Sequence, residues 1–197
     1  MESLSDDALL IQLSQGGDRS AFDSLIRKYE ARAYQYAYRL TSDQDEASDI
    51  VAEAFVRIYR ALKNFRGQSS FGTWLYRILT NCYLDFRKRE KSRRHESLDA
   101  TVQVDGGEVQ RQYVDESDGP AEIAERHARE TAVRGALGSM PEYQQAMLVM
   151  YHVETLSYEE ISEALDLPIG TVKSRLNRAR LALRDHLAQE VELFKIG

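Results

Sequence analysis

A single cysteine, Cys82, leaves the 197-residue chain without an internal disulfide. It sits in the apolar helical stretch Ile78-Leu-Thr-Asn-Cys-Tyr-Leu84, where a packing role is expected. The four histidines, His95, His127, His152 and His186, stand far apart with no cysteine or carboxylate at ligand spacing, so no metal site and no cofactor is expected. No apolar run approaches the roughly 20 residues of a membrane span. The start, Met1-Glu-Ser-Leu-Ser-Asp-Asp7, lacks the basic and apolar parts of a signal peptide. Cytoplasmic localisation without membrane insertion is the expectation. Nucleophile motifs and glycine-rich phosphate loops are also missing, which leaves an enzyme reading without support. No period-two alternation marks a strand, and the expected class is all-α.

What the chain does have is unevenly placed charge. Its net charge of −6 is awkward for a nucleic-acid binder, because neutralising phosphates supplies most non-specific affinity. Yet 87–94 reads Arg-Lys-Arg-Glu-Lys-Ser-Arg-Arg, and Lys173 to Arg184 carries five basic residues and no acidic one. Between them, 96–125 is dominated by Asp and Glu. Two basic patches on an acidic tether suggest two DNA contacts in a weak binder that needs a larger partner.

Helical periodicity divides the rest. A first helix is expected over 6–15, stopped by Gly16-Gly17, and a second from near Ser20 to Leu40. Ser42 or Asp43 opens a third over 46–62, burying Ile50, Val51, Ala54, Phe55 and Ile58 and leaving Asp49, Glu53, Arg57 and Arg60 outward. The loop 63–70 precedes a long helix beginning at Phe71 that grows basic toward Arg94. From 95 to 122 the composition predicts an extended linker that cannot bury enough surface to fold alone. Helicity resumes near Ala121, and a helix after Pro141 offers Met147, Leu148, Met150 and Tyr151 to a partner helix.

The segment 156–180 is the most specific. Ser157 and Glu160 form a capping-box pattern that starts a helix with Ile161, Ala164 and Leu165 on one face. The chain turns through Asp166 and Leu167, and Pro168 suits the first turn of a second helix. That helix buries Val172, Leu176 and Ala179 and displays Lys173, Ser174, Arg175, Asn177, Arg178 and Arg180. Such a helix-turn-helix can enter a major groove. Asp166 occupies a turn position where glycine is common, and Asp tolerates a left-handed backbone.

Four segments in this order, 18–29, 47–55, 65–78 and 156–180, resemble the extracytoplasmic-function (ECF) sigma factors of bacterial RNA polymerase across nearly the whole chain. The resemblance implies a sigma region 2 domain over 1–94, a linker over 95–122, a region 4 helix-turn-helix domain over 123–190 and a tail over 191–197. It implies promoter recognition and strand opening, with core RNA polymerase and promoter DNA as partners and an anti-sigma factor as a further one. The acidic helix segment with Asp49, Ile50 and Glu53 would dock on the polymerase clamp, although Ala52 stands where the family often has Gln. The loop 64–70 and the helix behind it would capture a base flipped from the minus-10 element, through Asn64, Phe65, Ser69, Ser70, Asn81 and Lys88. Phe71, Trp74 and Tyr76 can be read equally as core aromatics. The second helix of 156–180 would read the minus-35 element through Lys173, Ser174, Arg175, Asn177, Arg178 and Arg180, with base readers and phosphate holders left unseparated.

Two rival readings of the chain predict different things. A response-regulator output domain requires an alternating α/β receiver, and this N-terminal half reads as helical throughout. A sigma mimic that only sequesters an anti-sigma factor has no use for recognition-helix arginines.

Overall fold

The computed structural model describes residues 6–96 and 120–188, with side chains described over 6–93 and 124–188. The described residues form eight α-helices and no strand. They are α1 (Asp6–Gln15), α2 (Arg19–Thr41), α3 (Gln44–Ala61), α4 (Phe71–Glu96), α5 (Pro120–Gly138), α6 (Glu142–His152), α7 (Tyr158–Leu165) and α8 (Ile169–Leu187), with a short 3-10 turn over Leu62–Asn64. Most of the expected linker, 97–119, and the tail lie outside the described residues. Helix α4 runs to Glu96 and α5 begins at Pro120, so both encroach on the linker expected from composition.

Local chemistry sets the breaks. Asp18 caps α2 by accepting from the backbone N–H of Ser20 at 2.8 Å and of Ala21 at 3.2 Å. Both candidate residues between α2 and α3 are used. Ser42 ends α2 with φ of 59°, and Asp43 opens α3 by accepting from the Glu46 N–H at 2.8 Å. The expected capping box holds: Glu160 N–H donates to Ser157 Oγ at 3.1 Å, and Ser157 N–H donates to the Glu160 carboxylate at 2.8 Å. Asp166 ends α7 with φ of 53°, the left-handed conformation expected of it. Pro168 is the residue before α8 rather than within its first turn.

Helices α1 to α4 close around Leu25, Tyr36, Ile58, Leu75, Leu79 and Tyr83, and α5 to α8 around Met147, Met150, Ile161, Val172 and Leu176, all essentially inaccessible. Each large apolar side chain so buried contributes about 1.5–3 kcal/mol relative to exposure. The two units also pack on one another, which the sequence did not foretell. Helix α4 meets α6 and α7, and α2 meets α5 and α6. Tyr83 hydroxyl donates to Gln145 Oε1 at 2.8 Å, while Gln145 Nε2 donates to the Met140 carbonyl at 2.8 Å, so this buried amide is satisfied at both ends. Tyr76 hydroxyl donates to the carboxylate of Glu154. The Glu154 side chain is only 7% exposed, and Arg39 and Arg32 approach it at 3.5 and 3.9 Å. Lys91 and Glu142 pair at 2.6 Å across the same seam.

Candidate functional site

Three surfaces carry the chemistry that the sequence singles out. The first is a groove of about 590 Å³ between α3 and α4. Its rim holds Asp49, Glu53, Arg57 and Arg89, and its apolar lining includes Val56 and Phe86. Val56 is 49% exposed, unusual for a valine on a helix whose other face is core. The three residues expected to act together here differ in state. Asp49 is exposed and forms no ion pair among the described residues. Glu53 is engaged, with Arg57 at 2.7 Å and Arg89 at 3.7 Å, and the Arg57 hydrogen bond holds its carboxyl below the usual range. Arg57 reaches on to Asp85 at 2.8 Å. Ile50 is 2% exposed and belongs to the core, so it shapes the groove floor and offers little contact of its own.

The second surface is the loop before α4. Ser70 caps that helix: its Oγ accepts from the Thr73 N–H at 3.1 Å and lies 2.9 Å from the Thr73 hydroxyl. The residue expected to touch DNA therefore already has a structural task. Phe65 is half-buried and lies on Trp74 with ring centroids 4.7 Å apart, with Phe71 at 6.3 Å. Phe71 and Tyr76 are core, 3% and 2% exposed, whereas Trp74 is half-buried at the surface of this cluster. Asn64 is exposed and Ser69 half-buried. Trp74, Asn81 and Lys88 recur every seven residues, so they form one stripe along α4 that starts at the loop, and Asn81 and Lys88 are exposed.

The third surface is α8. Its buried residues Val172, Leu176 and Ala179 define an inward face. At about 100° per residue, Ser174 projects directly away from that face and Asn177 and Arg178 obliquely outward to either side of it, with Lys173, Arg175 and Arg180 on the flanks. Each flanking cation lies over a tyrosine: Lys173 over Tyr158 at 5.6 Å, Arg175 over Tyr143 at 5.4 Å and Arg180 over Tyr151 at 4.5 Å. Tyr151 and Tyr158 are themselves stacked, 5.2 Å apart. Arg180 also donates through Nε to His152 Nε2 at 3.1 Å, and burial followed by this guanidinium lowers the His152 pKa. His152 Nε2 thus serves as the acceptor for the arginine. Ser174 Oγ donates to the Thr171 carbonyl at 3.0 Å, which leaves its lone pairs facing outward.

Comparison with known proteins places these surfaces in a family. Sigma-70 region 2 matches residues 25–93, and Sigma-70 region 4 matches residues 130–183. The ECF RNA polymerase sigma factor SigW of Bacillus subtilis is 34% identical over 172 residues, covering 87% of this chain and 91% of SigW. The chain belongs to the ECF sigma factors. SigE of Mycolicibacterium smegmatis is 36% identical over 176 residues, and the match spans 88% of this chain but 65% of SigE. In fold, the chain resembles the Bartonella quintana sigma factor RpoE solved with the anti-sigma factor NepR, with a TM-score of 0.62, 23% identity, and coverage of 85% of this chain and 96% of RpoE.

As an ECF sigma factor the protein binds core RNA polymerase, recognises promoter DNA and serves transcription initiation. Its region 2 contains the α3–α4 groove and the loop before α4, and its region 4 contains the helix-turn-helix. No described helix is long and apolar enough to cross a membrane, and the described residues hold no metal-binding cluster. Sequence reasoning missed the tyrosines under the α8 cations, the Arg89 partner of Glu53, and Glu154. The i,i+4 spacing of Glu53 and Arg57 was the one visible signal that Glu53 has a partner.

Proposed function

We propose that this sigma factor reads the minus-35 element with Ser174, Asn177 and Arg178 and holds the flanking phosphates with Lys173, Arg175 and Arg180. The observation that carries this reading is the division of α8 into an outward polar face and tyrosine-backed cationic flanks. A cation resting on an aromatic face is oriented along the groove edge, where phosphates lie, whereas Arg178, whose Nε donates to the Ser174 carbonyl at 3.5 Å, keeps its two terminal nitrogens for guanine O6 and N7 together. Holoenzyme binding to single-base promoter variants over a salt series tests it. Arg178→Ala should relax preference at one position of the element and cost about 1–3 kcal/mol there; Arg180→Ala should weaken all sequences alike and reduce the salt slope by about one. A uniform loss for Arg178→Ala overturns the division.

In region 2, Asp49 and Glu53 face the polymerase clamp across the α3–α4 groove, with Ile50 beneath them. The loop residues Asn64, Phe65, Ser69 and Ser70 accept a base flipped from the minus-10 element, and Asn81 and Lys88 hold the strand beside it. Unstacking a base costs a few kcal/mol, and the aromatic floor of Phe65 and Trp74 offsets this cost by stacking. Region 2 is assigned to 1–94, the linker to 95–122, region 4 to 123–190 and the tail to 191–197. The factor acts beside the chromosome, in the cytoplasm, and is not an enzyme; catalysis belongs to the polymerase.

The two units must part for this to work. The minus-35 and minus-10 elements lie about 25 base pairs apart, roughly 85 Å at about 3.4 Å per pair. A compact chain of this length has a radius of gyration of about 16 Å and is roughly 40 Å across. With α4 packed on α6 and α7, the reading surfaces of α4 and α8 cannot reach both elements together. The packed arrangement is therefore the resting form of the free protein, opened by polymerase. An anti-sigma factor of the kind solved with the Bartonella RpoE would act by holding it closed.

A further inference from the structure

Helix α1 lies outside the matched region 2 segment, which begins at residue 25, yet its C-terminal end is tied to the loop that precedes α4 and its N-terminal end to α2, at the tyrosine that packs on the first residue of α4. At its C-terminal end the Gln15 side-chain amide donates two hydrogen bonds, to the Leu62 carbonyl at 3.0 Å and to the Phe65 carbonyl at 2.8 Å. These are the groups left over where the chain leaves α3, since the Leu62 carbonyl otherwise receives only the Phe65 N–H of a single 3-10 turn, at 3.0 Å. One planar amide thus spans the point at which helix becomes loop. It fixes the backbone of Phe65, whose ring is the floor on which Trp74 lies.

At the other end of α1, Asp7 accepts a hydrogen bond from the Tyr29 hydroxyl at 2.5 Å and pairs with Lys28 at 2.5 Å. Tyr29 lies 4.9 Å from Phe71, and Phe71 lies 6.3 Å from Phe65. The contacts therefore close a ring: Asp7 to Tyr29, Tyr29 to Phe71, Phe71 to Phe65, Phe65 to Gln15, and back along α1. Two of the outward residues of α1, Leu9 and Leu13, are 47% and 44% exposed, so the helix is held largely by these end contacts and by its inner face.

We propose that α1 is a brace for the base-capture loop, and that Gln15 is a positioning residue for promoter opening. A capture pocket has to be in place before the base arrives, because ordering it afterwards adds to the cost of unstacking. Gln15 touches no DNA in this account and acts only through the Leu62 and Phe65 carbonyls. The inference rests on the assignment of residues 64–70 to base capture.

The protein holds its own reporter. Trp74 is the only tryptophan, and it packs directly on Phe65. Gln15→Glu keeps the size of the side chain and replaces both donors with acceptor oxygens that repel the two carbonyls; Gln15→Met removes the donors without adding repulsion. Both variants are assayed as full-length protein assembled with core polymerase. The expected result is increased acrylamide quenching of Trp74, unchanged affinity for core polymerase, and open complex on duplex promoter reduced about tenfold, the equivalent of about 1.4 kcal/mol. A template with the minus-10 region already unpaired should restore most of that loss. Unchanged Trp74 quenching in both variants overturns the brace. So does normal duplex opening in both, or an equal defect on duplex and unpaired templates. Asn64→Ala with Ser69→Ala, measured in parallel, separates the two levels. If that pair is defective in opening while the Gln15 variants are not, only the brace falls; if the pair opens duplex normally, the base-capture assignment falls with it.

Discussion

Replacing Glu154 with Ala should open the resting form. Glu154 is a nearly buried carboxylate that accepts from the Tyr76 hydroxyl across the seam between the units. Burial, followed by this carboxylate, pushes the Tyr76 phenol pKa well up, so the tyrosine remains the donor at every working pH. A hydrogen bond to a charged group contributes about 1.5–3 kcal/mol. Arg32 and Arg39 add little, since their side chains are 55% and 38% exposed and solvent screens them. In the open form Glu154 is hydrated, so its removal penalises only the closed form. The open-to-closed ratio should then rise by roughly 10- to 150-fold. Where the closed form dominates the free protein, apparent affinity for core polymerase rises by up to the same factor. Small-angle scattering of the free variant should show a larger radius of gyration, and a polymerase titration should show tighter binding, with unchanged helicity by circular dichroism. An unchanged radius together with equal or weaker polymerase binding would refute the reasoning.

Asp49→Lys should weaken polymerase binding with a stability change within about 0.5 kcal/mol, because Asp49 is exposed and has no ion-pair partner to lose among the described residues; Glu53→Lys should cost more in melting temperature, since it sets a third cation beside Arg57 and Arg89. Cys82 is 1% exposed and burial pushes its thiol up to about 11, so a thiol reagent near neutral pH should leave the native protein unlabelled and modify it only on unfolding. Burial raises the Asp7 pKa, but the Lys28 and Tyr29 hydrogen bonds outweigh it and hold the carboxyl below its ordinary value of 3.8. The stabilisation it gives α1 is therefore complete above that ordinary value and lost as pH falls through the lowered one. Acrylamide quenching of Trp74 should rise over that acid range in the native protein and be less pH-dependent in Asp7→Asn.

The features legible in the sequence were those set by neighbours along the chain. Ser157 and Glu160 lie three residues apart, and a capping box needs nothing further. The turn at Asp166 and the inward stripe of Val172, Leu176 and Ala179 follow from backbone preference and helical period. The capping bond of the Ser70 hydroxyl to Thr73 is set by the same three-residue spacing, and it gives Ser70 a structural task beside its proposed one at the DNA. What stayed hidden depends on partners far along the chain. Gln15 acts on carbonyls 47 and 50 residues away, and Tyr76 meets Glu154 across 78. Composition likewise predicted two tethered units and could not indicate that they pack, because the seam is built from tyrosines and single polar residues with no periodicity of their own. The division of α8 was hidden for the same reason: Lys173, Arg175 and Arg180 look alike until Tyr158, Tyr143 and Tyr151 are placed beneath them.

The central claim is that this chain directs RNA polymerase to promoters with two separate DNA-reading surfaces. Transcription with purified core polymerase on genomic DNA, with start sites mapped, tests it most directly. The account predicts discrete starts that appear only when the protein is present, preceded by a shared minus-10 and a shared minus-35 element. Replacing Ser174, Asn177 and Arg178 together should abolish preference at the minus-35 element while core-polymerase binding persists. Stable core binding with no discrete starts would contradict the claim and leave the sigma-mimic reading in its place.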